Sequence, residues 1–189
     1  MKHAPHRHGL VAGLLSATLS GTAVADNPVV VLETSMGDLA VELFEDKSPK
    51  TVENFLDLVD AGFYDGLIFH RVIEGFVIQA GGHTADMEYR EAPRTVVNES
   101  NNRVANDRYT LSMARTSDPD SAGAQFYVNM SDNDSLNYRP GRPGYTVFGR
   151  VIEGMDAAHE IERTKTGTRM GMRDVPVEPV VITKAYRRP

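Results

Sequence analysis

The chain has 189 residues, with 26 acidic and 20 basic side chains, a formal net charge of −6, and neither cysteine nor tryptophan. An acidic surface repels nucleic acid and anionic lipid, so neither is an expected partner. Without thiols, disulfides, cysteine nucleophiles and Cys-based zinc sites are excluded, and packing and hydrogen bonding must hold the fold.

Residues 1–25 read as an export signal. Lys2 and Arg7 supply positive charge, Leu10 to Val24 form an apolar run diluted with Ser, Thr and Gly, and Ala23-Val24-Ala25 offers a small-residue cleavage site. A bilayer span needs about 20 predominantly apolar residues. This run falls short, so the expected mature chain is 26–189, a single domain with no membrane insertion after cleavage. His3, His6 and His8 belong to the leader and are set aside as metal ligands.

Val29 to Thr34 and Leu39 to Phe44 are β-prone runs separated by Ser35-Met36-Gly37-Asp38, which suits a tight hairpin turn. Ser48 as N-cap and Pro49 as first helical residue then open a helix, with Val52, Phe55, Leu56 and Val59 on one face and Gly62 past its end. Short strands are predicted at Ile68 to Ile73, Phe76 to Ala80, Tyr109 to Ala114, Gln125 to Met130 and Thr146 to Val151. A short helix follows Gly154, with Met155, Ala158 and Ile161 as its apolar stripe, and a last strand covers Val177 to Tyr186. The Gly- and Arg-rich stretch Thr164 to Asp174 reads as a mobile surface loop. Many short strands with only two helices, and no regular alternation between them, predict a mainly β fold: a closed or nearly closed antiparallel barrel.

Chemistry concentrates in Phe69-His70-Arg71-Val72-Ile73-Glu74-Gly75-Phe76-Val77-Ile78-Gln79-Ala80-Gly81-Gly82, which combines an Arg, a Phe and a Gln with glycines that let strands bend. Three further blocks follow in order: Leu111 to Arg115, Gln125 to Asn129, and Tyr145 to Val151. Together they resemble the cyclophilin family along essentially the whole mature chain, and most of all its periplasmic bacterial members.

The resemblance implies an eight-stranded antiparallel barrel capped by two α-helices. An outer groove would bind proline-containing segments of unfolded or extended polypeptides and isomerise the X-Pro bond without cofactor or metal. Arg71 matches the family's principal catalytic residue. Phe76, Val77, Tyr127 and Leu136 match positions lining the proline pocket, Gln79 and Gln125 match groove residues that bind the peptide backbone, Ala114 and Arg115 match the groove edge, and Tyr145 stands where many members have His. Period-two geometry puts Gln125 and Tyr127 on one strand face and Phe126 on the other, in the core. Taken alone, Arg71 would be a solvated surface residue and Phe76 and Tyr127 ordinary core aromatics; the motif assigns them to the groove. His70 is left out of the site, because amide rotation transfers no proton and a packed histidine suffices.

Two positions depart from the family pattern. Arg115 replaces the Asn of eukaryotic members, and Ser135 replaces a Trp, removing an indole donor and a large apolar contact. Weak binding of cyclosporin, the family's cyclic peptide inhibitor, is expected. The expected function is peptidyl-prolyl isomerisation during folding in the periplasm, or outside the cell in a host lacking an outer membrane. The alternative is a proline-segment-binding chaperone or assembly factor in which turnover is incidental. No exposed apolar stripe calls for a partner copy, so a monomer is expected.

Overall fold

The computed structural model describes Met1 and residues 27–189; the predicted leader and its cleavage site lie outside the described residues. Eight strands form one sheet: β1 (Val29–Thr34), β2 (Leu39–Leu43), β3 (Leu67–Ile73), β4 (Val77–Thr84), β5 (Thr110–Met113), β6 (Phe126–Asn129), β7 (Val147–Glu153) and β10 (Ile182–Arg187). Their order is β10-β1-β2-β7-β5-β6-β4-β3, and every pairing is antiparallel. The two outermost strands meet through an Ile68–Val181 bridge and the hydrogen bonds Phe69 N to Val180 O (2.9 Å) and Gly66 N to Ile182 O (2.8 Å), nearly closing the barrel. Closure satisfies edge groups that an open sheet would leave unpaired.

Helix α1 (Pro49–Asp60) turns Val52, Phe55, Leu56 and Val59 inward, as their spacing predicts. Phe55 anchors it, with ring centroids 5.1 Å from Tyr64 and Phe148 and 5.5 Å from Phe126. Its N-terminus corrects the expected cap. The Ser48 hydroxyl donates to the Val147 carbonyl (2.8 Å), and the Thr51 and Lys50 amides donate instead to the distant Glu99 carboxylate (2.8 and 3.2 Å). Helix α2 (Met155–Glu162) buries Ala158 and Ile161, with Met155 packed against the core.

The segment expected to be a mobile loop is instead a hairpin, β8 (Thr166–Arg169) with β9 (Met172–Pro176). Met170 and Gly171, both at positive φ (50° and 81°), supply the two central residues of the tight turn, a backbone twist that matches paired strands. Val175 anchors the hairpin, packing with Ile68 and Met87 in a small second core. The last strand starts five residues later than predicted, after Pro179, whose missing N–H cannot join a ladder.

Candidate active site

Strict alternation would put Phe69 and Arg71 on the same face of β3. The register prevents this: Phe69 pairs with Ala80 and Arg71 with the adjacent Gln79, so His70 is the extra residue of a bulge. Phe69 therefore faces inward, fully buried, while Arg71 faces the outer surface, partly exposed. His70 is 1% exposed. Burial, then the nearby His83, lowers its pKa from 6.5 to about 4, so it is a neutral packed residue at physiological pH.

The same register carries the site across three strands, because Gln79 pairs with Tyr127 and Tyr127 with Ser112. Arg71, Phe76, Val77, Gln79, Ala114, Arg115, Tyr127, Leu136 and Tyr145 line a single groove of about 240 Å³. Gln125 lines an adjoining depression of about 270 Å³ that shares Gln79, Ala114 and Arg115 with the first. Phe126, on the opposite face, is fully buried.

The Arg71 guanidinium is held on one side. Its Nη1 donates to Gln79 Oε1 (3.3 Å), and Gln79 Nε2 donates in turn to Gln125 Oε1 (3.0 Å), so these glutamines brace the arginine and each other. Two glycines make room for that arrangement. A Cβ on Gly82 would lie 2.6 Å from the Gln125 side chain, and one on Gly81, at φ +89°, 2.7 Å from the Ala124 carbonyl. The Arg71 guanidinium carbon also lies 6.0 Å from the centre of the Phe76 ring.

Arg115 is pinned across the opposite wall. Its guanidinium stacks over the Tyr145 ring at 4.5 Å and donates to the carbonyls of Thr116 (2.9 Å), Pro143 (3.1 Å) and Gly144 (3.3 Å). Tyr145 in turn meets Tyr127 edge-on, 6.0 Å between centroids. Burial raises the pKa of the Tyr127 hydroxyl well above its ordinary value, so it stays protonated and donates to Asn106 Oδ1 (3.1 Å). At the groove edge the Ala114 amide is already bonded to the Gln125 carbonyl (2.9 Å). Among the described residues no hydrogen bond uses the Ala114 carbonyl or the Arg115 amide, leaving both for an added extended segment. Ser135 is exposed, engaged through its backbone carbonyl with Arg142 (3.1 Å).

Sequence reasoning passed over the buried Asn106 and Asn133, and Asn137 beside Leu136, and noted Asn129 only as the end of a strand block. Asparagines in polar connections look like solvated turn residues. Among the described residues no cluster of three or more His, Cys, Asp or Glu is placed to hold a metal ion.

The groove lining contains no Ser, Cys, His or carboxylate. Fold and groove thus define a nearly closed antiparallel barrel that carries an apolar cup and a braced guanidinium on its outer face. The chain matches the family model described as cyclophilin type peptidyl-prolyl cis-trans isomerase/CLD over residues 29–187. It is 52% identical over 159 residues to a peptidyl-prolyl cis-trans isomerase of Streptomyces antibioticus, covering 82% of this chain and 96% of that protein. Against peptidyl-prolyl cis-trans isomerase B of Escherichia coli K12 it is 47% identical over 158 residues, covering 82% and 96%. A cyclophilin-type isomerase of Cryptosporidium parvum, solved in the presence of the dipeptide Ala-Pro, superposes with a TM-score of 0.71 at 29% identity, covering 85% of this chain and 99% of that one. The chain therefore belongs to the cyclophilin family and is a peptidyl-prolyl cis-trans isomerase.

Proposed function

We propose that this isomerase rotates X-Pro bonds in extended polypeptides bound along the groove, with Arg71 as the catalytic residue, and that it works in the periplasm after export. The observation that carries the reading is the convergence of Arg71, Phe76, Val77, Tyr127 and Leu136 on one groove of about 240 Å³. The solved relative crystallised with Ala-Pro supports the same substrate class. The basic, apolar and small-residue order of residues 1–25 supports export.

The mechanism follows from the bond itself. Conjugation of the nitrogen lone pair with the carbonyl keeps the peptide planar behind a barrier of about 18–20 kcal/mol. Twisting the bond localises that lone pair on the proline nitrogen. A guanidinium fixed beside the ring then donates to a nitrogen that accepts poorly while planar, which stabilises the transition state over the ground state. Shortening isomerisation from roughly 100 s to about a millisecond requires about 7 kcal/mol. One charge-assisted hydrogen bond supplies about 1.5–3 kcal/mol. The remainder falls to the cup of Phe76, Val77, Tyr127 and Leu136 that holds the ring while the preceding carbonyl swings, and to Gln79, Gln125 and the free backbone groups at Ala114 and Arg115 that hold the flanking chain.

Titration of an Ala-Pro test peptide into isotope-labelled mature chain tests the binding surface by NMR. Amide shifts should centre on residues 71–79, 114–115, 125–127, 136 and 145; shifts centred elsewhere overturn the assignment. Expression of the full chain in a Gram-negative host tests export. A periplasmic product beginning at Asp26 is expected, and an unprocessed cytoplasmic product contradicts it.

A further inference from the structure

Behind the groove lies a polar network that the mechanism above does not use. Asn106 is fully buried, and all of its polar groups are engaged. Its Oδ1 accepts from Ser112 Oγ (2.7 Å), Tyr127 Oη (3.1 Å) and Asn129 Nδ2 (3.4 Å). Its backbone N–H and Nδ2 both donate to Asn137 Oδ1 (2.7 and 3.1 Å), and its carbonyl accepts from the Asn133 amide (2.9 Å). Asn133 Nδ2 donates to Asn129 Oδ1 (2.7 Å) and to the Phe76 carbonyl (3.0 Å).

The bonds end on the groove. Tyr127 is held by its hydroxyl and Phe76 by its carbonyl. Leu136 lies between Asn133 and Asn137, its amide bonded to the Asn133 carbonyl (2.9 Å) and its own carbonyl accepting from the Tyr145 amide (3.0 Å). Three groove residues drawn from separate segments of the chain are thus tied to one set of asparagines, and a fourth, Tyr145, is tied to it through Leu136. Barrel packing alone does not place Leu136, which sits in a short 3₁₀ turn (Asp134–Leu136) with no buried side chain of its own.

From this geometry we infer that Asn106, with Asn129, Asn133 and Asn137, is the positioning unit of the proline cup, setting Tyr127, Leu136 and Phe76 at fixed separations. The inference rests on the proposed reading of the groove as the proline site. A buried amide network suits this task because each donor has a directed partner, and a partly satisfied buried network is costly, so one arrangement is selected. Apolar packing is non-directional and would let the 3₁₀ turn slide against the sheet.

Asn106→Ala removes the hub and endangers the fold, so Asn137→Ala, at the half-exposed end, carries the test. The measurement is kcat and KM for an Ala-Pro test peptide, with folding of each variant checked by circular dichroism. Asn137→Ala removes both bonds that Asn106 donates to Asn137 Oδ1 and should lower kcat/KM at least about tenfold. Asn137 Nδ2 also donates to Asp134 Oδ1 (3.2 Å), so the rescue variant is Asn137→Asp combined with Asp134→Asn, which keeps the acceptor for both Asn106 donors without opposing two carboxylates and should recover most of that loss. In a Leu136→Ala background, adding Asn137→Ala should change kcat/KM by less than about twofold, because its effect passes through Leu136. Losses that multiply in the double variant, or a folded Asn137→Ala with wild-type kcat/KM, overturn the positioning role. A folded Leu136→Ala protein that turns over as fast as the wild type would overturn the groove reading beneath it, whatever the Asn137 variants do.

Discussion

His70→Gln isolates the energetic consequence of the bulge that aims Arg71. In the unfolded chain His70 takes up a proton near pH 6.5; in the folded protein burial, then the His83 charge, delays uptake to about pH 4, with the Arg71 charge acting in the same direction and the Ile68 backbone and Gln125 side chain opposing it. Between these values the unfolded state binds more protons, so stability falls as pH falls. One such proton contributes a slope of about 1.4 kcal/mol per pH unit, and about 2.5 kcal/mol should be lost between pH 7.5 and 4.5. At 1% exposure solvent screening removes little of this. Urea unfolding followed by circular dichroism at several pH values gives the stability of wild type and His70→Gln. Carboxylates and His83, whose pKa burial also lowers, titrate in both proteins, so the difference between the two curves reports His70. The wild type should lose about 2.5 kcal/mol more than the variant across this window, with the two curves parallel above pH 7. Parallel curves down to pH 4.5 would refute the burial argument.

Gly82→Ala should cost the fold under about 1 kcal/mol, because the clashing atoms belong to a side chain that can swing away, yet lower kcat/KM several-fold by displacing Gln125 from Gln79; unchanged turnover would contradict the bracing role of these glutamines. Phe55→Ala removes the aromatic shared by Tyr64, Phe126 and Phe148 and should destabilise by about 3–5 kcal/mol in chemical denaturation, a loss below about 2 kcal/mol meaning that the helix does not anchor the core as described. Cyclosporin should bind weakly, since the exposed Ser135 offers neither an indole donor nor an apolar surface, and a tight complex in calorimetry would show that other contacts compensate.

The parts of the fold legible in the sequence are those written in period. Val52, Phe55, Leu56 and Val59 mark α1 by spacing alone, and the alternation of Gln125, Phe126 and Tyr127 assigns each to its observed face. The candidate residues were legible through the ordered blocks, which hold eight of the nine that line one groove and the Gln125 of its neighbour; Leu136 came from matching the stretch between the last two blocks. What stayed hidden depends on register and tertiary contact. Nothing in Phe69-His70-Arg71 announces a bulge, although only a bulge lets Phe69 face the core while Arg71 faces the groove. The β8–β9 turn escaped notice because Met170, a residue that rarely takes positive φ, occupies its first central position. Asn106, Asn133 and Asn137 lie in irregular, polar-looking segments and Asn129 at the end of a strand, and only the folded chain shows that their amides meet.

The most direct test compares isomerisation of an Ala-Pro test peptide by residues 26–189 with that of the Arg71→Ala variant, both verified as folded. The proposed mechanism predicts rapid turnover by the wild type and a fall in kcat/KM of at least about tenfold in the variant, the loss of one charge-assisted hydrogen bond made in the transition state. A folded Arg71→Ala protein that isomerises as fast as the wild type would contradict it.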